Sequence, residues 1–323
     1  MNGVILMNLR YTYLGPRGTF CEQALHSVNP PGSAELSPMP TITDALEEVF
    51  NENADAALVP LDNSVEGSVR PTLDYLIGHE SLMIVQEVLL PVSFSLYTRS
   101  EIDLSAISTV ATHPHAEAQC RKWLKSNLPS AQVISSPSTA DAAAAVSRGE
   151  YDAAICSSVA GKDYELHQLI VDVADNKDGV TRFVLVTRAR RPPLPTGNDV
   201  TSLIIFISHD RAGALLEVLT QFFVRGVNLT RIESRPTKER LGRYCFFFDC
   251  EGHIEDLRLA EALKGLHRIC EEVRFLGSYP KDVAGDGELK DSVLQSASGT
   301  SDRDFAMAER WIKHIRNSGP VES

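Results

Sequence analysis

The sequence predicts an α/β protein in two parts: a two-lobed domain built on an internal duplication, then a smaller module of ferredoxin-like βαββαβ order. Three observations carry this expectation. A segment around Thr41 recurs around Ser138 with the same cap, apolar spacing and following strand. The run from Arg188 to Asn198 combines arginines with three prolines and a Gly-Asn turn, a composition that does not fit inside a packed element. Beyond that linker the apolar pattern alternates strand, helix, strand, strand, helix, strand as far as Ser278.

The 323 residues are 43% apolar, enough for two or three cores at the usual domain size of about 100 to 200 residues. Tyr13-Leu14-Gly15-Pro16 reads as a strand broken by proline. Thr41-Ile42-Thr43-Asp44 is a capping box, and Ile42, Ala45, Leu46, Val49 and Phe50 then share one helical face. Asp55 to Val59 follows as a buried strand. At a constant offset of 97, Ser138 to Val146 and Asp152 to Cys156 repeat this helix and strand, and upstream Val110 to Pro114 corresponds as a strand that breaks at a proline. Two such lobes direct the C-terminal ends of their strands at a common cleft, where small ligands sit. The loops expected there are Gly15 to Phe20, Asp62 to Ser68, Thr112 to His115 and Ser157-Ser158. Gly179 to Val186 is a β run placed to return the chain across the hinge.

In the smaller module, strands are expected over 200–207, 227–234, 243–249 and 273–278, with helices over 213–225 and 254–266. Residues 280–301 turn to Gly, Ser, Asp and Lys, which reads as flexible, and a short amphipathic helix is expected around 304–315. The expected boundaries are 9–190 for the two-lobed domain, 199–280 for the module and 281–323 for the tail. Lobe one takes about 9–92 with 175–190, and lobe two about 93–174.

The 31 Lys and Arg against 43 Asp and Glu leave a net charge of −12 with no basic run, which disfavours nucleic acid and anionic membranes as partners. No stretch approaches 18 consecutive apolar residues, and Val4 to Met7 lacks the basic flank and cleavage site of a leader. Six cysteines form no CxxC pair and have no histidine at ligand spacing, so reduced thiols, no metal and a cytoplasmic location are expected.

Asn63-Ser64-Val65-Glu66-Gly67-Ser68 follows a strand and precedes a helical run, so its hydroxyls and N–H groups are expected to form an anion site at a helix N-terminus. Gly15-Pro16-Arg17-Gly18-Thr19 is similar in kind but weaker. Thr181-Arg182-Phe183 puts a hydroxyl, a permanent cation and an aromatic ring on the strand that lines the hinge. Gln119, His113 and His115 lie by the matching lobe-two loop, with no third ligand to suggest a metal. Cys245 and Cys250 occupy opposite faces of one strand and read as structural. Neither a Walker loop, a GxGxxG turn nor a Ser-His-Asp arrangement stands in context. The residues alone therefore point to a two-lobed small-anion site fused to a ferredoxin-like module, with enzyme and sensor both open.

Taken in combination, these residues resemble a known family. Tyr13-Leu14-Gly15-Pro16 with Gly18-Thr19-Phe20, Val59 to Val69, His113-Pro114 with Gln119-Cys120, and Thr181-Arg182-Phe183 are similar to the successive signatures of prephenate dehydratases. Gly213-Ala214-Leu215 and Ile232-Glu233-Ser234-Arg235-Pro236 are similar to the phenylalanine-binding motifs of the ACT regulatory domain of that family. The resemblance implies a periplasmic-binding-protein-like catalytic domain followed by an ACT domain. It also implies conversion of prephenate to phenylpyruvate, water and CO2 in phenylalanine biosynthesis, without a cofactor.

On the same basis Thr181 is expected to donate to the leaving hydroxyl, with Asn63, Gln119 and Glu66 as further catalytic residues and Glu66 the nominee for an acid. Arg182, Phe183, Ser64, Gly67, Ser68, Thr19, Thr112 and Thr139 are expected around the substrate. L-Phenylalanine is expected as allosteric effector against Gly213, Ala214, Leu215, Asn228, Leu229, Glu233 and Ser234. Its site would lie between two copies, because open sheet edges of such modules pair; a homodimer or homotetramer is expected. This sequence departs from the family pattern at Asp62, where Glu is common, at His115, where Gln is common, and at Glu165, where Gly usually follows Tyr164. The first two bear on prephenate against arogenate. No mutase domain is expected before Tyr11 or after Pro280, as in the monofunctional type. A non-catalytic sensor of aromatic anions or amino acids, and an arogenate dehydratase, are the alternatives.

Overall fold

The computed structural model describes residues 9–28, 30–207, 211–237, 244–282 and 299–318. Contacts divide them into two units. One holds the described residues up to His79 together with Val88–Arg188; the other holds Glu80–Glu87 and the described residues from Ala189 on.

The first unit contains both lobes apart from Glu80–Glu87, which belong to the second unit. Lobe one runs β1 (Arg10–Leu14), α1 (Phe20–Ser27), β2 (Glu35–Met39), α2 (Ile42–Phe50), β3 (Ala56–Asn63), β4 (Gly67–Ser68), α3 (Arg70–Gly78) and β5 (Leu82–Pro91). Lobe two runs β6 (Ser95–Thr98), β7 (Thr109–Thr112), α4 (Pro114–Gln119), α5 (Arg121–Asn127), β8 (Gln132–Ser135), α6 (Thr139–Ser147), β9 (Ala153–Cys156), α7 (Ser158–Asp163) and β10 (His167–Ile170). The chain then returns to lobe one as β11 (Val180–Arg188). Strand orders are β2-β1-β3-β11-β5 and β8-β7-β9-β6-β10. In each, three parallel strands are followed by an antiparallel one, β11 on β3 and β6 on β9.

The duplication read in the sequence is therefore a duplication of topology. Thr41 caps α2 with a complete capping box, and Ser138 accepts the Asp141 N–H at the start of α6. Each cap satisfies helix-end N–H groups and fixes where its helix begins. The outgoing and returning chains pair at the crossover, Val92 N–H donating to Gly179 O (2.7 Å) and Val173 N–H to Phe94 O (2.7 Å). Glu165 stands at φ 51, a left-handed conformation that favours glycine, which is the family's usual residue there.

The second unit contains β12 (Asp199–Phe206), α8 (Ala214–Phe223), β13 (Leu229–Pro236), β14 (Tyr244–Glu251), α9 (Leu257–Ile269), β15 (Glu272–Pro280) and α10 (Asp302–Ser318). Its antiparallel sheet has the order β13-β14-β12-β15. Leu203, Ile205, Phe248 and Cys250 pack against Val218 and Phe222 of α8 and Leu259 and Leu266 of α9. Alternate residues of β12, β14 and β15 supply this core face, which is why a period of two reads as strand there.

Element boundaries in this unit differ from expectation by one to three residues, and two of the starts have a local cause. The strand expected at 227 starts at Leu229, because Val227 is drawn into the core directly after the left-handed Gly226. The helix expected at 254 starts at Leu257, because the preceding turn is held by His253 N–H to Asp256 (2.7 Å) and Ile254 N–H to Ser278 (3.1 Å). The helix expected over 304–315 is longer, and Asp302 at its start binds the Arg258 N–H and guanidinium. Residues 283–298, expected to be flexible, lie outside the described residues, as does Arg243 of the third expected strand. Among the described residues no helix is long and apolar enough to cross a membrane.

Candidate active site

A cavity of about 720 Å³ opens between the lobes of the first unit. Three helix starts reach it: Thr19 before α1, Ser138 and Thr139 at α6, and His113 before α4. Their walls are largely apolar, with Phe20 and Phe94 packed edge to face (5.4 Å, 89°) and Val69, Val92 and Phe183 nearby.

The chemistry concentrates where β3 meets β11. Thr181 is registered against Asn63, and the Asn63 amide Nδ2–H donates to Thr181 Oγ1 at 2.7 Å. The amide orientation follows from its other bonds, since Asn63 Oδ1 accepts the N–H of Val65 (2.8 Å) and Glu66 (3.0 Å). With its oxygen used as acceptor, Thr181 keeps its own hydroxyl proton to donate. Thr181 is itself buried. Gln119 and Glu66 complete this wall, Gln119 Nε2–H donating to Glu66 Oε1 (3.0 Å) while His115 Nδ1 meets Glu66 Oε2.

His113 lies parallel to His115 (5.0 Å, 7°), and its Nδ1 accepts the His115 N–H at 3.3 Å. Burial, and then the neighbouring His115, push the His113 pKa down against the opposing pull of Glu66. The neutral ring therefore carries its proton on Nε2. Cys21 also lines the cavity, but burial pushes its thiol up to about 12 and it donates to Leu58 O, so it is no nucleophile.

Thr181, Asn63, Gln119, Glu66, Phe183, Thr19 and Thr139 thus line one cavity. Others do not. Arg182 alternates to the opposite face of β11 from Thr181 and Phe183 and is registered against Asp62, so the expected cation is absent from the described lining. Thr112 is buried in its sheet, its hydroxyl donating to Ile155 O at 2.8 Å. The stretch Asn63 to Ser68 does not open a helix. Asn63 Oδ1 captures the N–H groups of Val65 and Glu66 and turns the chain into a hairpin, Gly67 and Ser68 pairing back on Asn63 and Asp62. Ser64 is committed to Val180, donating its N–H to Val180 O (2.9 Å) and accepting Val180 N–H on Oγ (2.9 Å).

Ser138, Phe94, Met39, His113 and His115 also line the cavity and were not in the expected substrate-contacting set. The repeat carried a signal for Ser138, which caps α6 as Thr41 caps α2.

In the second unit, Gly213 (φ 88) opens α8, and Ala214 lines a small pocket with Arg211, Glu217 and Ile269. Leu215 and Leu229 pack on the core. Asn228 O accepts the Glu251 N–H (2.9 Å). Glu233 pairs with Arg231 and Arg235, while Ser234, next along β13, points to the other face.

Comparison with known proteins bears on this geometry. The prephenate dehydratase family model matches residues 11–191, and the ACT domain model matches residues 202–268. A prephenate dehydratase of Amycolatopsis methanolica is 47% identical over 95% of this chain and 98% of its own length. One from Mycobacteroides abscessus is 44% identical over 90% and 96%. The crystal structure of the Arthrobacter aurescens prephenate dehydratase in complex with L-Phe is 43% identical, covers 96% of this chain and 100% of that one, and superposes with a TM-score of 0.84.

Proposed function

The chain belongs to the prephenate dehydratase family, and from that premise we propose that the cavity between its lobes converts prephenate to phenylpyruvate, water and CO2. The reaction breaks the ring C–O bond and the bond from ring to carboxylate; the electron pair freed as CO2 leaves completes the aromatic ring as hydroxide departs with a proton. Aromatisation supplies the driving force, so the protein has to orient the dianion and assist the leaving oxygen.

The observation that carries this reading is the Asn63–Thr181 pair, which leaves a positioned hydroxyl proton for the departing oxygen. A threonine hydroxyl does not ionise near neutrality, so Thr181 acts as a donor. With Arg182 on the far face of its strand, the carboxylates are met by the helix starts at Thr19 and Ser138-Thr139, whose first N–H groups suit anions. The apolar wall of Phe20, Phe94 and Phe183 takes the ring and withholds solvation from the carboxylate that leaves as neutral CO2. L-Phenylalanine acts as feedback effector through residues 202–268, which the ACT match and the L-Phe complex of the Arthrobacter aurescens relative support; the working assembly is a homodimer or homotetramer, because open sheet edges of such modules pair.

Purified protein incubated with prephenate and quenched in alkali tests the reading by the absorbance of phenylpyruvate. Turnover inhibited by phenylalanine is expected. Release of phenylalanine from arogenate, with no phenylpyruvate from prephenate, overturns the substrate assignment.

A further inference from the structure

Across the cavity mouth, a hairpin of lobe one reaches a helix of lobe two. The Glu66 carboxylate accepts from Gln119 Nε2 on one oxygen (3.0 Å) and from His115 Nδ1 on the other. We propose that Glu66, His115 and Gln119 are a clasp that holds the lobes closed over bound substrate, with His115 a positioning residue; this rests on the cavity being the prephenate site.

Three features support the clasp. The hairpin side is rigid, because Glu66 N–H is held by Asn63 Oδ1 and Ser64 is paired twice with Val180, so contact is made or broken by movement of lobe two. The helix side is built to match: His115 and Gln119 stand four apart on α4 and share a face, and His113 stacks on the His115 ring and fixes its plane. Finally, the pair is solvated, the His115 and Glu66 side chains being 65% and 37% exposed. Such a contact is strong enough to bias closure and weak enough to open for each substrate and product.

The same geometry argues against Glu66 as the acid. A proton donor to the leaving hydroxyl needs a protonated oxygen aimed at substrate, whereas both oxygens here face donors of lobe two. Asn63 joins the two devices, since it donates to Thr181 and accepts from the Glu66 N–H. A closed clasp therefore delivers Gln119 and His115 to the cavity wall beside the hydroxyl donor.

Steady-state kinetics on prephenate with wild type, Glu66→Gln, His115→Ala and the double variant, each with its melting temperature, test the clasp. Each single change is expected to raise KM about two- to fivefold and to move kcat less, as a half-exposed pair dictates. The double variant is expected to be no worse than either single. The wild-type advantage should shrink in 1 M salt, where screening acts over about 3 Å. His115→Gln should recover part of the loss, because its amide N–H still donates to Glu66. Independent, multiplicative effects of the two single changes overturn the clasp. So does a Glu66→Gln variant that loses a hundredfold or more in kcat at constant KM, which identifies Glu66 as the acid. A wild-type chain with no prephenate turnover overturns the site reading beneath it.

Discussion

Replacing Thr181 separates its two roles. The side chain is buried, and its oxygen accepts the Asn63 amide at 2.7 Å, so Thr181→Val keeps the shape and strand preference but removes acceptor and donor together. In the ground state the loss leaves Asn63 Nδ2–H without that acceptor, at about 1 to 3 kcal/mol if it stays dry; the site opens on a cavity of about 720 Å³, so a water can replace part of it. In the transition state the loss is of one preorganised donor, typically about 10² to 10³ in kcat. The catalytic effect therefore exceeds the structural one. Thr181→Ser keeps the oxygen within reach of Asn63 and is expected to retain most activity. The assay is phenylpyruvate absorbance in alkali, run beside thermal melts on all three proteins. A folded Thr181→Val enzyme with kcat within about threefold of wild type refutes the donor assignment, because the expected loss is far larger.

Gly18 stands at φ 80, donates its N–H to Glu22 (2.6 Å), accepts Ser157 Oγ–H from lobe two (3.0 Å), and would set a Cβ 3.2 Å from Ala160 Cα. Gly18→Ala should cost about 1 to 2 kcal/mol for the left-handed backbone alone and lower kcat/KM by spreading the lobes; denaturant melts and kinetics check both. Burial pushes the Asp152 carboxyl up, but the N–H groups of Ser108 and Thr109 and the Thr109 hydroxyl outweigh it and hold it below its ordinary value of 3.8. Its folded pKa is depressed, so its stabilisation is present above pH 3.8 and is lost as pH falls through the folded value. The melting-temperature gap between wild type and Asp152→Asn should accordingly be full at pH 7 and narrow below pH 3.8. Gly213→Leu forces a side chain onto φ 88 while its Cβ meets nothing within 4 Å among the described residues, so the chain should fold. Calorimetry should then find phenylalanine binding lost, and the inhibition with it, a coupling of typically about 1 to 3 kcal/mol.

What the sequence by itself determined is local or periodic. The Thr41 and Ser138 caps, the strand runs that follow them and the proline-rich linker act through neighbours in the chain, and a constant offset of 97 already contained the matched topology of the lobes. Asn63 and Thr181 stood out for the same reason, since each sits in a compact signature. Which member of a signature meets the cavity was a tertiary matter. Strand alternation turned Arg182 away between Thr181 and Phe183. Asn63 to Ser68 suited a helix cap and a hairpin equally, because an Asn side chain captures nearby N–H groups in either, and pairing of Gly67 and Ser68 on β3 chose the hairpin. The Asn63–Thr181 bond spans 118 residues and the Gln119–Glu66 bond spans 53. No local period encodes such distances; the bonds exist because β11 pairs with β3 and because two separately built lobes meet at one cleft.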